Sequence, residues 1–508
     1  MLLGKLNKMK VTTSSSHPYL VDGSPAVADV WLDANGDNVR QSSEWKTILV
    51  SGLRKGGRGL FALDVTHPPD RSTPNSSQVT VNDYSRLLWE LTGSDIPTLG
   101  ETWSTPVIGK VKITDGGVVK DRWVAFVGGG YWTPPTLTAN VSAGATSISV
   151  TSTEGFPGSG TLQIGTDLAE YSAITPTSFT GIPSTGNADR KLSAHNAGEA
   201  LVSPLGKAFY VIDIGLGKVI WTLDAASDSG MAYPLASPPV PIDTNGDNYV
   251  DYVYQVDHGG QLWRFDVKAT GDYNSSSKTV TSGWSGKRIF APSTLPPAQP
   301  FFNKPEVAFD GALKPWIYYG SGDQENPQGS GTGKFYAIQD GDPGSPYNDG
   351  NLSDFGSVLS NTDQTVFGTV AGGRNGWFAG LPNSSEKVLT GPVIFNGQLY
   401  FTTFQPTNDP CGGGGIARVY GLSLNLQAPA GTAATAGAGI LAVTGVTGKQ
   451  RSAQLAGGGM PSSPVLSMNA SGGASLYIGT TNAGMTVIPV DTPASFKKLK
   501  KWKEWIAQ

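Results

Sequence analysis

Cysteine is almost absent: Cys411 stands alone among 508 residues, so no internal disulfide can staple this fold. Cysteine usage therefore neither supports nor excludes an extracellular life, and the lone thiol reads as a small buried residue. Long apolar runs are missing too. No stretch of about 18 apolar residues exists, which predicts that nothing here spans a membrane. Met1 to Lys10 carries Lys5, Lys8 and Lys10 with no apolar segment after them, so it does not read as a secretory signal. An exported protein of this kind needs its signal upstream. The repeat pattern starting at His17 opens abruptly, as the C-terminal part of a longer chain would. Charge is scarce as well, with charged residues at 15%, a formal net charge of −4 and a pI near 5.7. Such a surface has no general attraction for phosphate backbones or anionic lipid, and nucleic acid is not an expected partner.

Catalytic constellations are equally thin. His17, His67, His195 and His258 are scattered, and neither a His-Glu-x-x-His nor a Gly-x-Ser-x-Gly stretch occurs. Cys411 lies in Pro410-Cys411-Gly412-Gly413 without a neighbouring base. Gly56-Gly57-Arg58-Gly59 precedes a strand, not a helix N-terminus, which removes the phosphate-loop mechanism. Asp257-His258-Gly259-Gly260 reads as a turn between strands. The expectation is a protein that is not an enzyme.

What the chain does have is glycine and proline, 67 and 35 residues, and runs of β-branched and aromatic residues that end in Gly or Asp. Helix-period stretches rich in Ala, Leu, Glu and Lys do not occur, so the fold class is all-β. The runs repeat. A small residue and Pro lead into an apolar strand at Ser24-Pro25, Thr105-Pro106, Ser237-Pro238, Lys304-Pro305, Gly391-Pro392 and Ser463-Pro464. After each of the first four comes an apolar strand ending in Gly: residues 46–52, 123–130, 252–260 and 316–322. A third, aromatic-aliphatic strand ends in Asp or a polar substitute at Asp64, Asp213, Asp266, Gln339 and Ser423. A fourth carries Trp89 or Trp221. Three or four short strands repeated about six times, without crossover helices, predict a β-propeller; a string of separate sandwiches would need a complete alternating core in every unit.

One interval is too long. Between Tyr131 and Gly206 lies a Thr/Ser/Ala/Gly-rich segment with its own strand signals at 146–150, 161–165 and 170–174. It reads as a small β module inserted between two strands of one blade, either a binding accessory or a neutral loop expansion. The expected organisation is a linker over 1–16, propeller over 17–133, insert over 134–205, propeller over 206–490 and a basic tail over 491–508. Lys497, Lys498, Lys500, Lys501 and Lys503 alternate there with Trp502 and Trp505, read as a solvated segment whose Trp residues pack on the last blade, with a membrane-surface helix as the alternative.

The most specific motif is Asp243-Thr244-Asn245-Gly246-Asp247-Asn248-Tyr249-Val250-Asp251. Asp243, Asn245, Asp247 and Asp251 supply side-chain oxygens at loop positions 1, 3, 5 and 9, and Tyr249 offers its carbonyl at position 7, the first part of a calcium loop. Crowded carboxylates repel one another, which favours Ca²⁺ over a plain Asp/Asn/Gly turn. Asp251 at position 9, where an EF-hand continues to a Glu at position 12, and the strand that follows at once argue against a helical EF-hand. A weaker relative, Asp33-Ala34-Asn35-Gly36-Asp37-Asn38, has Gln41 at position 9 and Glu44 at position 12 as a remote ligand; Asp33, Asn35 and Asp37 form either a second metal loop or an Asx turn.

Taken together, Tyr19 to Pro25, Trp45 to Val50 with Gly56 to Asp64, Thr102 to Pro106, and Asp243 to Tyr254 with Gly259 to Asp266 resemble the C-terminal domain of the PilC/PilY family. Glu386-Lys387-Val388, Phe401 to Phe404 and Asp409-Pro410-Cys411 extend the likeness over most of the chain outside 134–205. The resemblance implies a modified seven-bladed propeller of a type IV pilus tip protein, active in pilus assembly, adhesion and twitching motility. Minor pilins of the pilus tip and a surface receptor are the implied partners, and the extracellular pilus tip the implied location. It also implies that the loop Asp243 to Asp251 binds Ca²⁺ and counteracts retraction. Two other readings compete: a passive scaffold within a larger surface protein, and a quinoprotein dehydrogenase, whose vicinal cysteine pair one Cys cannot form.

Overall fold

An aspartate at the end of a β-strand can fold its carboxylate back onto the next backbone N–H groups and stop the strand there. Asp64 Oδ1 accepts from the Thr66 N–H at 2.9 Å, Asp213 Oδ1 from Leu216 at 2.9 Å and Asp266 Oδ1 from Lys268 at 3.2 Å. This is the physical content of the strand-ending Asp in the repeat. The small residue before Pro has an equally local reason: the buried Ser104 hydroxyl accepts from the Gly128 N–H at 3.0 Å, and the Ser237 hydroxyl donates to the Val256 carbonyl at 2.7 Å. Each hydroxyl ties the start of a blade to the end of its second strand.

The structure, a computed structural model, describes residues 19–67, 85–185, 191–295, 297–356, 359–360, 368–369, 373–407, 414–424, 435–442, 449–469, 473–482 and 484–490. Cys411 and the Lys/Trp tail 491–508 lie outside them. The described residues are strands joined by turns, with three-residue 3₁₀ turns and no long helix. None of their helices is long and apolar enough to cross a membrane.

The chain divides into two compact units. The first comprises residues 1–236 with 272–281, and the second 237–271 with 282–508. In the first unit, Ala26–Trp31, Trp45–Gly52, Gly59–Asp64 and Arg86–Thr92 form an antiparallel meander in sequence order. The next blade runs Val107–Asp115, Val118–Gly128, Ala208–Asp213 and Lys218–Asp224. Its central strands are buried on both faces, so Val124 to Val127 and Ala208 to Ile212 read as continuous apolar runs where a half-exposed strand would alternate. Val30, Ile48, Val50, Leu60, Ala125, Tyr210 and Ile212 meet in one core cluster of this unit. Gly130 ends the second strand at φ 93°, where an added Cβ would lie 2.0 Å from the Glu101 carbonyl oxygen. No other residue fits.

In the second unit the meander repeats as Val240–Ile242, Tyr252–Val256, Leu262–Asp266 and Ser285–Phe290, and then as Glu306–Phe309, Pro315–Gly320, Lys334–Gln339 and Gly376–Gly380. Val393–Phe395, Gln398–Pro406 and Gly415–Leu424 follow in a further sheet, and Val465–Met468, Ala474–Gly479 and Met485–Val490 in another. Stacked aromatics fill the interior: Phe335 and Phe401 rings lie 4.2 Å apart, and Phe401 and Tyr420 4.8 Å. The all-β repeat expected from sequence is the one observed.

Residues 134–205 make their own sheets, Ser147–Ser149 with Ser178–Thr180 and Ala173–Thr175, and Gly160–Ile164 with Asp167–Tyr171. Leu137, Ile148, Val150, Leu162, Ile164, Tyr171, Phe179 and Leu201 form a core cluster separate from that of the flanking blade. The strands on either side of the insert stay paired, Val127 opposite Tyr210 and Gly128 opposite Phe209. Arg58 ties the two parts together, donating to the Leu99 carbonyl at 2.6 Å and to Glu154 of the insert at 3.2 Å. Because the neighbouring strands meet without the insert, replacing residues 135–204 by a short Gly/Ser linker is expected to leave cooperative thermal unfolding and the strand content intact. Loss of a cooperative transition in that variant would make the module part of the blade's own core.

Candidate functional site

The Asp243 loop hangs between the first two strands of its blade, tied at its far end where Asp251 donates its N–H to the Ile242 carbonyl at 2.9 Å. Gly246 and Asn248 turn the chain through the left-handed region at φ 78° and 65°. Those turns aim backbone N–H groups inward. Asp243 Oδ1 accepts from Gly246 at 2.7 Å and Asn245 at 3.1 Å, and its Oδ2 accepts from Asn248 at 2.7 Å. Asn245 Oδ1 accepts from the Asp247 N–H and Asp247 Oδ1 from the Tyr249 N–H, both at 2.9 Å. Slight burial works against the charged form of Asp243, but the N–H groups of Asn248, Gly246 and Asn245 outweigh it and hold the carboxyl below its ordinary value.

Asp251 is buried and turned the other way. Its Oδ2 accepts from the Thr244 N–H at 2.8 Å and from the Thr244 hydroxyl, and the Lys268 ammonium lies 3.7 Å from it. Among the described residues no three His, Cys, Asp or Glu side chains converge as a metal-holding group. The loop thus links Asp243, Asn245 and Asp247 in one series of turns, while Asp251 is not brought together with Asp243 and Asp247. The repulsion inferred from sequence is relieved within the chain, by backbone N–H groups, Thr244 and Lys268. That weakens crowding as an argument for a cation. The chemistry of the donor set, carboxylates, an amide oxygen and a carbonyl, still suits a hard divalent ion. Sequence reasoning missed Thr244 and Lys268. The signal was the hairpin register: Tyr252 pairs with Asp266, so the residues just past Asp266 come back beside Asp251.

The Asp33 loop, in the first unit, repeats four of these five bonds. Asp33 Oδ1 accepts from Gly36 at 2.9 Å and Oδ2 from Asn38 at 3.1 Å; Asn35 Oδ1 accepts from Asp37 at 2.9 Å and Asp37 Oδ1 from Val39 at 2.7 Å. Gly36 and Asn38 have φ of 77° and 57°. Glu44 takes the part that Asp251 plays, its Oε1 accepting from the N–H of Ala34, the second loop residue, at 3.2 Å. Its Oε2 accepts from Trp31 Nε1 at 2.8 Å and from the Gln41 N–H at 3.3 Å. Gln41 donates instead to Asp37 Oδ2 at 3.0 Å.

Strongly perturbed titratable groups lie elsewhere, in the turn Asp257 to Gly260 of the second unit. Burial pushes the Asp257 carboxyl up to about 7, against the pull of Trp263 Nε1 and the N–H groups of Gln261 and Gly259. Burial lowers the neighbouring His258 to about 4, against the pull of Asp323. Asp257 Oδ2 receives the Trp263 indole N–H at 3.0 Å, its Oδ1 the Gln261 N–H at 2.9 Å, and His258 packs edge-on against Phe302. These are the contacts of a buried turn, as the sequence suggested.

Comparison with known proteins agrees with the blades. Residues 191–297 match the family model described as the PilY1 beta-propeller domain. The type IV pilus biogenesis factor PilY1 of Pseudomonas aeruginosa (strain UCBPP-PA14) is 26% identical over 265 residues, 52% of this chain and 14% of that protein. A type IV pilus biogenesis factor PilY1 homolog of Xylella fastidiosa (strain Temecula1 / ATCC 700964) is 24% identical over 426 residues, 80% of this chain and 23% of its own length. The crystal structure of the Pseudomonas aeruginosa PilY1 C-terminal domain superposes with a TM-score of 0.54 at 19% identity, covering 92% of this chain and 83% of that one. The chain thus spans less than a quarter of the curated relatives it matches. Fold and repeats define a β-propeller domain of the kind carried by pilus factors. In sequence and fold the chain is similar to PilY1-family type IV pilus factors.

The buried turn makes a test of its own. Between pH about 4 and 6.5, Asp257 holds a proton that it lacks in the unfolded chain, and His258 lacks one that it holds there. The Asp257 contribution is fully present below about pH 4 and is lost as pH rises through 7. The His258 contribution is present above about pH 6.5 and is lost as pH falls toward 4. The two slopes cancel across the shared window. His258→Phe is expected to unmask Asp257, so that stability relative to the wild type falls by about 1.4 kcal/mol per pH unit from pH 4.5 to 6.5; Asp257→Asn should give a rise of similar slope. Denaturant unfolding at stepped pH reads both, and profiles parallel to the wild type would refute the pairing.

Proposed function

We propose that this chain is the propeller part of a type IV pilus biogenesis factor, acting outside the cell at the pilus tip in assembly, surface attachment and twitching motility, without catalysis. Similarity to PilY1 pilus biogenesis factors, in the domain match over residues 191–297 and in relatives at 26% and 24% identity, is the observation that carries the reading. Minor pilins of the tip are its partners in this proposal. Binding is the task that suits a propeller of short strands and long connecting loops, since its rigid blades hold loops in fixed places.

In the same proposal Ca²⁺ is held by Asp243, Asn245, Asp247, Asp251 and the Tyr249 carbonyl, and its role is to oppose pilus retraction. The oxygen-only donor set supports this reading. Asp243, Asn245 and Asp247 pre-shape the ring through their bonds to backbone N–H groups, and in this proposal Asp251, which Thr244 and Lys268 hold in the structure, would join them when the ion binds. A bound ion would supply two positive charges against three carboxylates. With a dissociation constant of about 10 μM and calcium at roughly 1 mM outside the cell, the site would be about 99% filled and would stabilise the fold by about 2.7 kcal/mol. The loop of Asp33, Asn35 and Asp37, closed by Glu44, is proposed as a weaker second site of the same design.

Asp247→Ala removes a donor at the exposed centre of the loop and is expected to abolish terbium luminescence at this site with the fold unchanged by circular dichroism. In the native host the same substitution in the full-length protein should change surface piliation and twitching. Normal metal binding by the variant would end the calcium reading. Lost binding with wild-type piliation and twitching would reduce the ion to a structural part.

A further inference from the structure

Lys268 follows the third strand of the calcium-loop blade, two residues beyond the strand-ending Asp266, whose Oδ1 accepts the Lys268 N–H. The adjoining Val267 donates its N–H to the Asp251 carbonyl at 2.9 Å, which sets the next side chain beside the end of the loop. There the Lys268 ammonium donates to the Thr244 hydroxyl at 3.3 Å and lies 3.7 Å from Asp251 Oδ2 and 5.9 Å from the centre of the Tyr252 ring. Asp251 is 3% exposed at its side chain, whereas Lys268 is 48% exposed. The carboxylate is therefore fixed, and the cation beside it is free to swing into water on its flexible stem.

The other loop lacks this feature. Glu44 stands where Asp251 does, but the groups that donate to it are neutral: Trp31 Nε1 and the N–H groups of Ala34 and Gln41. The nearby Arg40 guanidinium is engaged with Asp121 at 2.6 Å. Two loops with the same turns thus close in different ways, one on a carboxylate held by an ammonium and the other on a carboxylate held by neutral groups.

We infer that Lys268 is a tethered counter-ion of the Asp243–Asp251 loop, holding Asp251 when no divalent cation is bound and competing with one for that carboxylate. The inference rests on the reading of this loop as a calcium site. A divalent ion reaching Asp251 must displace the ammonium, because two cations sharing one carboxylate repel each other at short range. Lys268 accordingly weakens the site and sets its threshold. It also keeps Asp251 compensated in calcium-free surroundings, so the empty loop holds its shape. Displacement of Lys268 is then the local change that reports filling to the turn after the third strand.

The test is a terbium and calcium titration of the purified 508-residue chain at low ionic strength, comparing wild type, Lys268→Met and Lys268→Arg. Lys268→Met keeps the stem without the charge and is expected to tighten binding about fivefold to twentyfold, while Lys268→Arg stays within about threefold of wild type. In excess chelator Lys268→Met should unfold at a lower temperature than wild type, and saturating calcium should remove that difference. Equal affinities of wild type and Lys268→Met, within a factor of two, would overturn the inference with the calcium site intact. Tightening by Lys268→Arg equal to that by Lys268→Met would overturn it as well, since charge would not be the cause. Failure of the wild type to bind either ion would instead end the calcium reading, and the role of Lys268 with it.

Discussion

A carboxylate accepting backbone N–H groups two to five residues away is the interaction on which this structure depends. It stops the third strands at Asp64, Asp213 and Asp266. It folds both Asp-rich loops. It also locks the buried turn at Asp257. Each such bond satisfies donors that a strand end leaves open, and charge assistance makes it stronger than its neutral counterpart. A fold of short strands has many ends, so a device that ends a strand within two residues lets a blade fit into about fifty residues.

The same device explains why so much of the fold is legible in the sequence. A strand-ending Asp, a strand-ending Gly and a Ser-Pro start are all local: the bonds that make them meaningful join residues close in the chain or in adjacent strands. Ser104 and Ser237 belong to the repeat because their hydroxyls meet the ends of neighbouring strands. The long interval before Ala208 was legible for the converse reason, since a repeat interrupted for about seventy residues must resume with its partner strand, and Tyr210 does pair with Val127. Continuous burial of Ala208 to Asp213 was legible from the lack of alternation.

The candidate site was legible only in part. Positions 1, 3 and 5 of each loop act through neighbouring N–H groups, and the spacing of Asp243, Asn245 and Asp247 states that directly. What closes each loop is set by tertiary register, which spacing does not state. Glu44 reaches the second loop residue through a 3₁₀ turn, Ser42–Glu44, that returns its carboxylate to Ala34. Lys268 reaches Asp251 through a hairpin. Charge repulsion argued from sequence overlooks both, because it counts the anions in a segment and omits the donors that the fold brings to them.

That omission bears on how a loop of this kind can act as a sensor. If carboxylates in a calcium loop had no partner without the ion, the empty loop would be strained, and filling would mainly relieve that strain. Here Asp243 and Asp251 are already satisfied, so in the proposed calcium site an ion would add to the turn bonds of Asp243, whose oxygens keep lone pairs, and would exchange partners only at Asp251. The free energy of binding is then a difference between two compensated states and is smaller than the donor count suggests. If the loop is the calcium site proposed above, such a site suits a concentration as high as that outside cells, where weak binding still fills it. In that proposal the response would be carried by whichever group is exchanged, and at Asp251 the exposed partner is the half-exposed lysine, since Thr244 is fixed by its own backbone bond to the same carboxylate oxygen.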